Sequence, residues 1–452
     1  TTHHYAIIGA GPAGLAVARN LDKLGIPFIG FEAGSTVGGL WNIDNPRSTM
    51  YRSAHLISSK RMTEFKEFPM GARVADYPHH TEVYRYFKAF AERFDLNAKY
   101  EFDTEVMAVE PIEGSSDKGW QVTTLSRKNG SSTDRTRPFK GVVIANGTLS
   151  EPNRPHFGGN FNGRLMHAAE YKSADVFEDQ CVLIVGAGNS GCDIVVDAVH
   201  RARSVGLSVR RGYHFVPKYV FGRPADTVGG RIKLPFALKQ RLDKVLLKCF
   251  TGDPQHFGFP KPDHDLYESH PIVNSLVLHH IGHGDITLFK DIARLDGDEV
   301  LFRDGTRQTF DLILTATGYK LHYPFIDKRY LNWQGAAPHF YLNAFHPEYD
   351  NLFIAGLVEA AGLGWEGRNE QAELIARYIQ GIERNQAAAV AFQDLKRAPF
   401  PDMRGGVNYL RLDRMAYYVH KDTYRCLLYT SPSPRDLVGN LVCRLLLEKR
   451  GG

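Results

Sequence analysis

One pattern occurs twice in this chain and leaves few folds open. YAIIGAGPAGLAVARNLDKLGIPFIGFEAG begins at Tyr5, and CVLIVGAGNSGCDIVVDAVHRARSVGLSVRRG begins at Cys181. Each reads as an apolar strand, a G-x-G-x-x-G loop, apolar residues at helical spacing, and a second apolar strand, which is a βαβ unit. The glycines answer steric needs. Gly9 and Gly186 permit a tight turn, Gly11 and Gly188 let backbone approach a pyrophosphate, and Gly14 and Gly191 let helix and strand pack closely. The helix that follows presents free N–H groups and its positive dipole end to phosphate. The expected fold class is therefore α/β, with two Rossmann-like dinucleotide-binding domains.

The two units end differently. Glu32 closes the first, placed to accept hydrogen bonds from ribose hydroxyls. The second closes with Val209-Arg210-Arg211 and has no such carboxylate. Two guanidiniums suit a ribose 2′-phosphate through planar, charge-assisted hydrogen bonds. FAD is expected at the loop Gly9, Ala10, Gly11, Pro12, Ala13 and Gly14, and NADPH at Gly186, Gly188, Asn189, Ser190 and Gly191. Hydride then passes from nicotinamide to flavin, and the protein supplies orientation and exclusion of water.

Composition excludes other classes. A chain of 452 residues exceeds one ordinary core, and a formal charge of +5 without a basic stripe does not suit nucleic acid. Five scattered cysteines, never paired as C-x-x-C, argue against a disulfide scaffold, a zinc site or a dithiol redox centre. They fit a reducing, cytoplasmic setting. No apolar run approaches the ~20 residues of a membrane span. HHIGHGD sets His279 and His283 at helical spacing, but Gly282 and Gly284 argue against a helix and no carboxylate has suitable spacing. No metal site is expected there. No G-x-S-x-G elbow follows a strand, so a Ser-His-Asp hydrolase has no support.

Elsewhere, TEVMAVEPIEGSSDKGWQVTTL reads as strands around a turn, and KNGSSTDRTRP as a polar hairpin tip. Residues 213–285 show no clear period. A helix is expected from Asn369 to Gln380, with Ala372, Ile375, Ala376 and Ile379 on one face. CLLYTSPSPRD, from Cys426, suits neither strand nor helix, and its codons are compatible with a sequencing-library adapter. Residues 426–452 are expected to be a non-native tail, and the native start is expected to lie before Thr1.

FNGRLMHAAEY places Phe161, Gly163, His167 and Tyr171 just ahead of the second loop. With GGLW, SSKRMTEFKEFPM, GAGNSGCD, PDHDLYESHPIVNS and ATGY, it makes the chain resemble the flavin-containing monooxygenases from about Tyr5 to Arg425. The eleven-residue stretch matches that family's identifying F-x-G-x-x-x-H-x-x-x-Y/F. The resemblance implies an NADPH domain, 173–289, inserted in an FAD domain, 1–172 and 290–425, with the crossing at 161–171. It implies that Gly39, Leu40, Trp41, Val106, Thr317, Gly318 and Gln371 lie at FAD, and that Ser190, Gly191, Cys192 and Asp193 line the NADP pyrophosphate. Gly163 would turn at a hinge, and His167 would couple the domains rather than transfer protons. The implied reaction is NADPH-consuming insertion of one oxygen atom from O2 into a small-molecule nucleophile, amine nitrogen or sulfide sulfur, via a flavin hydroperoxide. The alternatives are Baeyer–Villiger oxygenation of a ketone and an NADPH oxidase. Two departures stand out: Ile57, before Ser58 and Ser59, holds the place where many members carry Asn near the flavin, and Asn146 stands in IANG where ATG is usual.

Overall fold

The computed structural model describes residues 3–112, 119–128, 131–228 and 236–430. Strands β1 (Tyr5–Ile8), β2 (Phe28–Phe31), β3 (Tyr100–Glu101), β7 (Gly141–Ile144) and β17 (Leu352–Ile354) form a parallel sheet in the order β17-β7-β1-β2-β3. Every residue of β1 and β7 is buried, as a sheet covered on both faces requires. On one face lies α1 (Pro12–Lys23), started by a proline whose fixed φ suits the first helical turn. It packs against α5 (Gly364–Glu383), joined by Asn20 Nδ2 donating to Asn369 Oδ1 at 2.8 Å. On the other face lies an antiparallel sheet of β4 (Thr104–Pro111), β5 (Trp120–Lys128) and β6 (Ser131–Phe139). Its fully buried Trp120 joins Phe31, Val142 and Ile144 in one cluster. Most of the stretch expected as a hairpin tip is therefore strand β6, and residues 113–118 of the expected turn lie outside the described residues.

The second sheet is also parallel. Its strands are β9 (Arg164–His167), β10 (Cys181–Val185), β11 (Ser204–Ser208), β12 (Ile286–Phe289) and β16 (Leu312–Thr315), in the order β9-β16-β10-β11-β12. Helices α2 (Asn189–Val199) and α4 (Leu276–His283) pack together on this sheet's own core. A further sheet follows the order β15-β14-β13-β8, with β8 (Gly159–Phe161), β13 (Ile292–Gly297), β14 (Glu299–Phe302) and β15 (Arg307–Thr309). It closes over Leu183, Val185 and Ile313 with Leu295, Val300 and Phe302. The boundaries expected at 172 and 290 thus differ from the sheets. β9 and β16 flank the expected insert in sequence yet complete its sheet, because β10 needs a parallel neighbour on each side.

Three local readings change. Residues 213–285 contain α3 (Phe236–Thr251) and α4. Gly284, read as evidence against a helix, ends α4 at φ 83°, with its N–H on Ile281 O and the Asp285 N–H on His280 O. That is the terminating glycine a helix C-terminus favours, and Gly282 is simply carried inside. Cys426 does not break the chain: α6 (Lys421–Thr430) runs through it, burying Tyr424, Cys426 and Leu428. Tyr424 and Leu428, one turn apart, share an apolar face that the main core accepts. The rest of the expected tail, 431–452, lies outside the described residues. The helix expected from Asn369 extends to Gly364–Glu383, with Ala372, Ile375, Ala376 and Ile379 buried as expected.

One buried histidine gives the fold a pH dependence. His346 is 3% exposed, and its Nδ1 accepts the N–H groups of Glu348 and Tyr349 at 3.0 and 2.9 Å. Burial first, and then the charge of the buried Lys396, lower its pKa to about 3. The unfolded chain takes up the proton first, so stability falls as pH drops from the ordinary histidine value towards 3. The slope is up to ~1.4 kcal/mol per pH unit for one group. Urea midpoints measured between pH 7 and pH 4.5 are expected to fall less steeply in His346→Asn, which keeps an acceptor without a titratable ring.

Candidate dinucleotide sites and the crossing between them

The two glycine loops superpose in their logic. Gly9 and Gly186 hold φ of 106° and 104°, and a Cβ on Gly14 or Gly191 would lie 1.9 Å from the carbonyl oxygen of Gly9 or Gly186. Those four glycines are dictated by the protein's own backbone. The middle glycines are not. A Cβ on Gly11 meets only Gly39 Cα, at an ordinary 3.7 Å, and one on Gly188 meets nothing within 4 Å. The fold leaves that space open at the N-terminus of each helix, where a pyrophosphate would sit. Pro12, Ala13 and Asn189 border it half-buried, and Ser190 is exposed.

At the first loop, Glu32 is buried, and its two oxygens accept the N–H groups of Ala10 at 2.7 Å and Gly34 at 2.8 Å. Burial raises its pKa, opposed by those two backbone donors. Each oxygen keeps a free lone-pair site for a ribose hydroxyl. The Ala10 N–H is committed to Glu32 and is not free for phosphate. Gly39 lies across the loop from Gly11, and Leu40 leads to Trp41, whose ring meets Trp365 edge-on at 6.1 Å. Gln371 is fully buried. Its Oε1 accepts the Gly356 N–H at 2.8 Å and its Nε2 donates to the Tyr424 hydroxyl at 2.8 Å. Gly356, at the end of β17, has only Ala13 beside it, so Gln371 braces the rim of the first loop. Val106 is buried with Phe31 under β2.

At the second loop, β11 ends at Ser208 and the two arginines diverge. Arg210 is exposed. Arg211 turns inward: its Nη2 lies 3.6 Å from Asp263, and its buried Nε and Nη1 have no partner. Buried guanidinium donors left unpaired are costly, and a phosphate would satisfy them. Cys192 points into the core, fully buried, so only its backbone can face the loop. The Asp193 carboxylate turns away from the loop, accepting Asn274 Nδ2 at 2.6 Å and the Tyr51 hydroxyl at 3.1 Å. Asn189 anchors the same partner segment through Val273 and Pro271. The sequence reading missed Tyr51 and Asn274, although PIVNS was a visible cue.

Thr317 and Gly318 are placed differently from expectation. They follow β16 in the second sheet, where Gly186 crowds the Ala316 carbonyl, so they stand beside the NADPH loop. The equivalent neighbour of the first loop is IANG: Gly9 crowds the Ala145 carbonyl. Thr317 Oγ1 donates to Asn153 O at 2.6 Å, and Asn146 Nδ2 donates to His322 O at 2.9 Å. These two turns therefore stitch the segments that run between the sheets.

FNGRLMHAAEY is that crossing. Gly163 has an ordinary φ, and a Cβ there would lie 2.4 Å from Asp311 O and 2.6 Å from the Phe161 ring. It is a packing glycine, not the hinge residue expected. His167 is fully buried; its Nδ1 accepts the Ala169 N–H at 3.1 Å, its ring meets Tyr319 at 5.4 Å, and its Nε2 has no partner. Burial lowers its pKa, which suits a neutral positioning ring. Tyr171 is fully buried and donates to Asp197 on α2 at 2.8 Å, as does Ser53. Ser58 shares a hydrogen bond with Thr63 at 2.7 Å, and the Ser59 N–H donates to Asp226 at 2.7 Å. Ile57 is half-buried, and Ser59 Oγ is a buried hydroxyl without a partner.

Two parallel sheets, each with an open glycine cradle, one ending in a buried carboxylate and the other in an unpaired guanidinium, define a two-dinucleotide oxidoreductase. The sequence pattern of the FMO-like family, described as flavin-binding monooxygenase-like, matches residues 2–423, and the chain belongs to that family. It is 29% identical to flavin-containing monooxygenase 5 of Rattus norvegicus over 96% of this chain and 82% of that one. It is equally identical to dimethylaniline monooxygenase [N-oxide-forming] 2 of Pan troglodytes, over 83% and 73%. Among solved structures, S-allyl-L-cysteine S-oxygenase from Allium sativum shares the fold, with TM-score 0.64 and 21% identity over 100% of this chain and 92% of that one. The chain is a flavoprotein monooxygenase, with FAD and NADPH as its cofactors. Among the described residues no helix is long and apolar enough to cross a membrane.

Proposed function

We propose that this enzyme oxygenates amine nitrogen or sulfide sulfur, with FAD held at the Gly9–Gly14 loop and NADPH at the Gly186–Gly191 loop. The observation that carries the cofactor placement is the pair of glycines, Gly11 and Gly188, whose Cβ positions the protein leaves open. Glu32 would hold the first ribose, and Arg211 the 2′-phosphate of the second nucleotide. When bound, the flavin takes hydride from NADPH and activates O2 for transfer of one oxygen atom. The chain's own part is to bind, orient and keep water out. His167 and Tyr171 fix the crossing, Gln371 braces the first loop, and Ile57 adds an apolar wall next to Ser58 and Ser59. The soft-nucleophile reading draws on the N-oxide-forming relative and the S-oxygenase fold, and on a crossing that ends in Tyr171. A cytoplasmic setting belongs to the same reading, supported by free Cys181, Cys192, Cys249 and Cys426.

The test supplies NADPH and O2 with dimethylaniline, a dialkyl sulfide or cyclohexanone, and compares oxygenated product with NADPH consumed. N-oxide and sulfoxide are expected. Lactone alone would transfer the protein to the ketone-oxygenating class, and hydrogen peroxide equal to NADPH consumed, without product, would make it an oxidase. A second outcome follows from Ile57, which offers no hydrogen bond where Asn could. Ile57→Asn is expected to lower the fraction of NADPH lost as hydrogen peroxide by roughly 2- to 10-fold, the worth of one hydrogen bond of ~0.5–1.5 kcal/mol. An unchanged fraction would show that this side chain does not govern coupling.

A further inference from the structure

The end of α4 gathers ligating groups that the proposed reaction does not use. His280, His283 and Asp285 bring three ligand atoms within 4.8 Å of one another. His280 Nδ1 lies 2.8 Å from Asp285 Oδ2, and His283 Nδ1 lies 3.8 Å from the same oxygen. The sequence pairing of His279 with His283 is replaced by His280 with His283, and the carboxylate that spacing had not revealed arrives through the helix cap. With the Asp285 N–H on His280 O at 2.9 Å and the Gly284 N–H on Ile281 O at 3.0 Å, the cap turns Asp285 back beneath both rings. The arrangement is held from outside as well. His200, at the end of α2, meets the His280 ring edge-on at 5.6 Å and fixes its plane.

We infer that His280, His283 and Asp285 form a binding site for a divalent transition-metal ion of the zinc class. Two imidazoles and one carboxylate are the donor set that Zn²⁺ takes in three-ligand sites, at ~2.0–2.2 Å per ligand, with water in the remaining position. Hard ions such as Mg²⁺ and Ca²⁺ require more oxygen donors than this cluster holds. A small rotation of the exposed His283 closes the three atoms onto one ion. Binding frees the His280 Nδ1 lone pair by moving its proton to Nε2, so no net proton is released. Gly284 and Asp285 also border a shallow depression of about 290 Å³ beside Arg203 and Thr287, which leaves the ion's open side accessible to water. The site lies on the second domain, and the ion would pin the end of α4 to the start of β12.

Zinc chloride titrated into the FAD- and NADP⁺-loaded full chain against a competing colorimetric chelator tests this. The wild type is expected to take up one ion per chain at this site. His283→Ala and Asp285→Asn should each weaken that uptake by at least about 10-fold, whereas His279→Ala should not. His283 is 68% exposed, so its removal spares the fold. Cobalt(II) in place of zinc should give visible absorption bands that disappear in His283→Ala. Uptake unchanged in both variants, no uptake by the wild type at millimolar zinc, or equal competition by Mg²⁺ would each overturn the inference.

Discussion

Gly188→Ala is expected to raise the Michaelis constant for NADPH about 100-fold, or ~2.7 kcal/mol, with FAD content and melting temperature unchanged. The added methyl group meets nothing of the protein within 4 Å, so the folded chain tolerates it. It enters the space where backbone must come within contact of a pyrophosphate, and overpacking there costs ~1–3 kcal/mol. Gly191→Ala is the contrasting control. Its methyl would lie 1.9 Å from Gly186 O, so the whole second domain should lose stability, not the cofactor alone. Thermal melts, flavin absorbance and NADPH titration of the two variants separate a ligand cradle from a packing glycine. An unchanged Michaelis constant in Gly188→Ala would remove the pyrophosphate from this loop.

Arg211→Ala should raise the Michaelis constant for NADPH 10-fold or more and leave that for NADH nearly unchanged, since a charge-assisted hydrogen bond is worth ~1.5–3 kcal/mol. The two arginines were equal candidates in the sequence, and the structure separates them. Arg211 keeps two buried N–H groups unpaired, while Arg210 is exposed, so Arg210→Ala is expected to have the smaller effect. Because those donors are unsatisfied without a phosphate, Arg211→Ala should not lower the stability of the nucleotide-free protein. Steady-state kinetics with both nucleotides check the assignment, and equal losses for NADPH and NADH would refute it.

What the sequence made legible was whatever local sterics dictate. The two loops could be read because a strand, a tight turn and a helix lie within thirty-odd consecutive residues, and each glycine answers a contact inside that span. Long-range neighbours could not. Thr317 and Gly318 looked like part of the first site, yet β16 pairs with β10 and carries them to the second. Asp193 and Cys192 sat in the right motif, but a helix turns successive side chains through about 100°, so one met Tyr51 and Asn274 and the other the core. Gly163 resembled a hinge because spacing cannot distinguish a glycine that bends from one that makes room for a ring. The α4 cap was hidden for a related reason: Gly284 is unfavourable inside a helix and favourable just past its end, and pattern alone did not locate that end.

The adjacency of β9 and β16 has a kinematic consequence. The polypeptide enters the second domain along one and returns along the other, and the two strands pair in parallel with His167 opposite Thr315. Both tethers therefore leave from the same edge, like two pins set side by side in one door jamb. A body hung that way swings about a single line; sliding or tipping would tear the pairing. Tyr51 on Asp193, Ser53 and Tyr171 on Asp197, and Ser59 on Asp226 act as latches that select an angle about that line. Rotation would then change the tilt of one nucleotide against the other while their separation at the pivot stays constant.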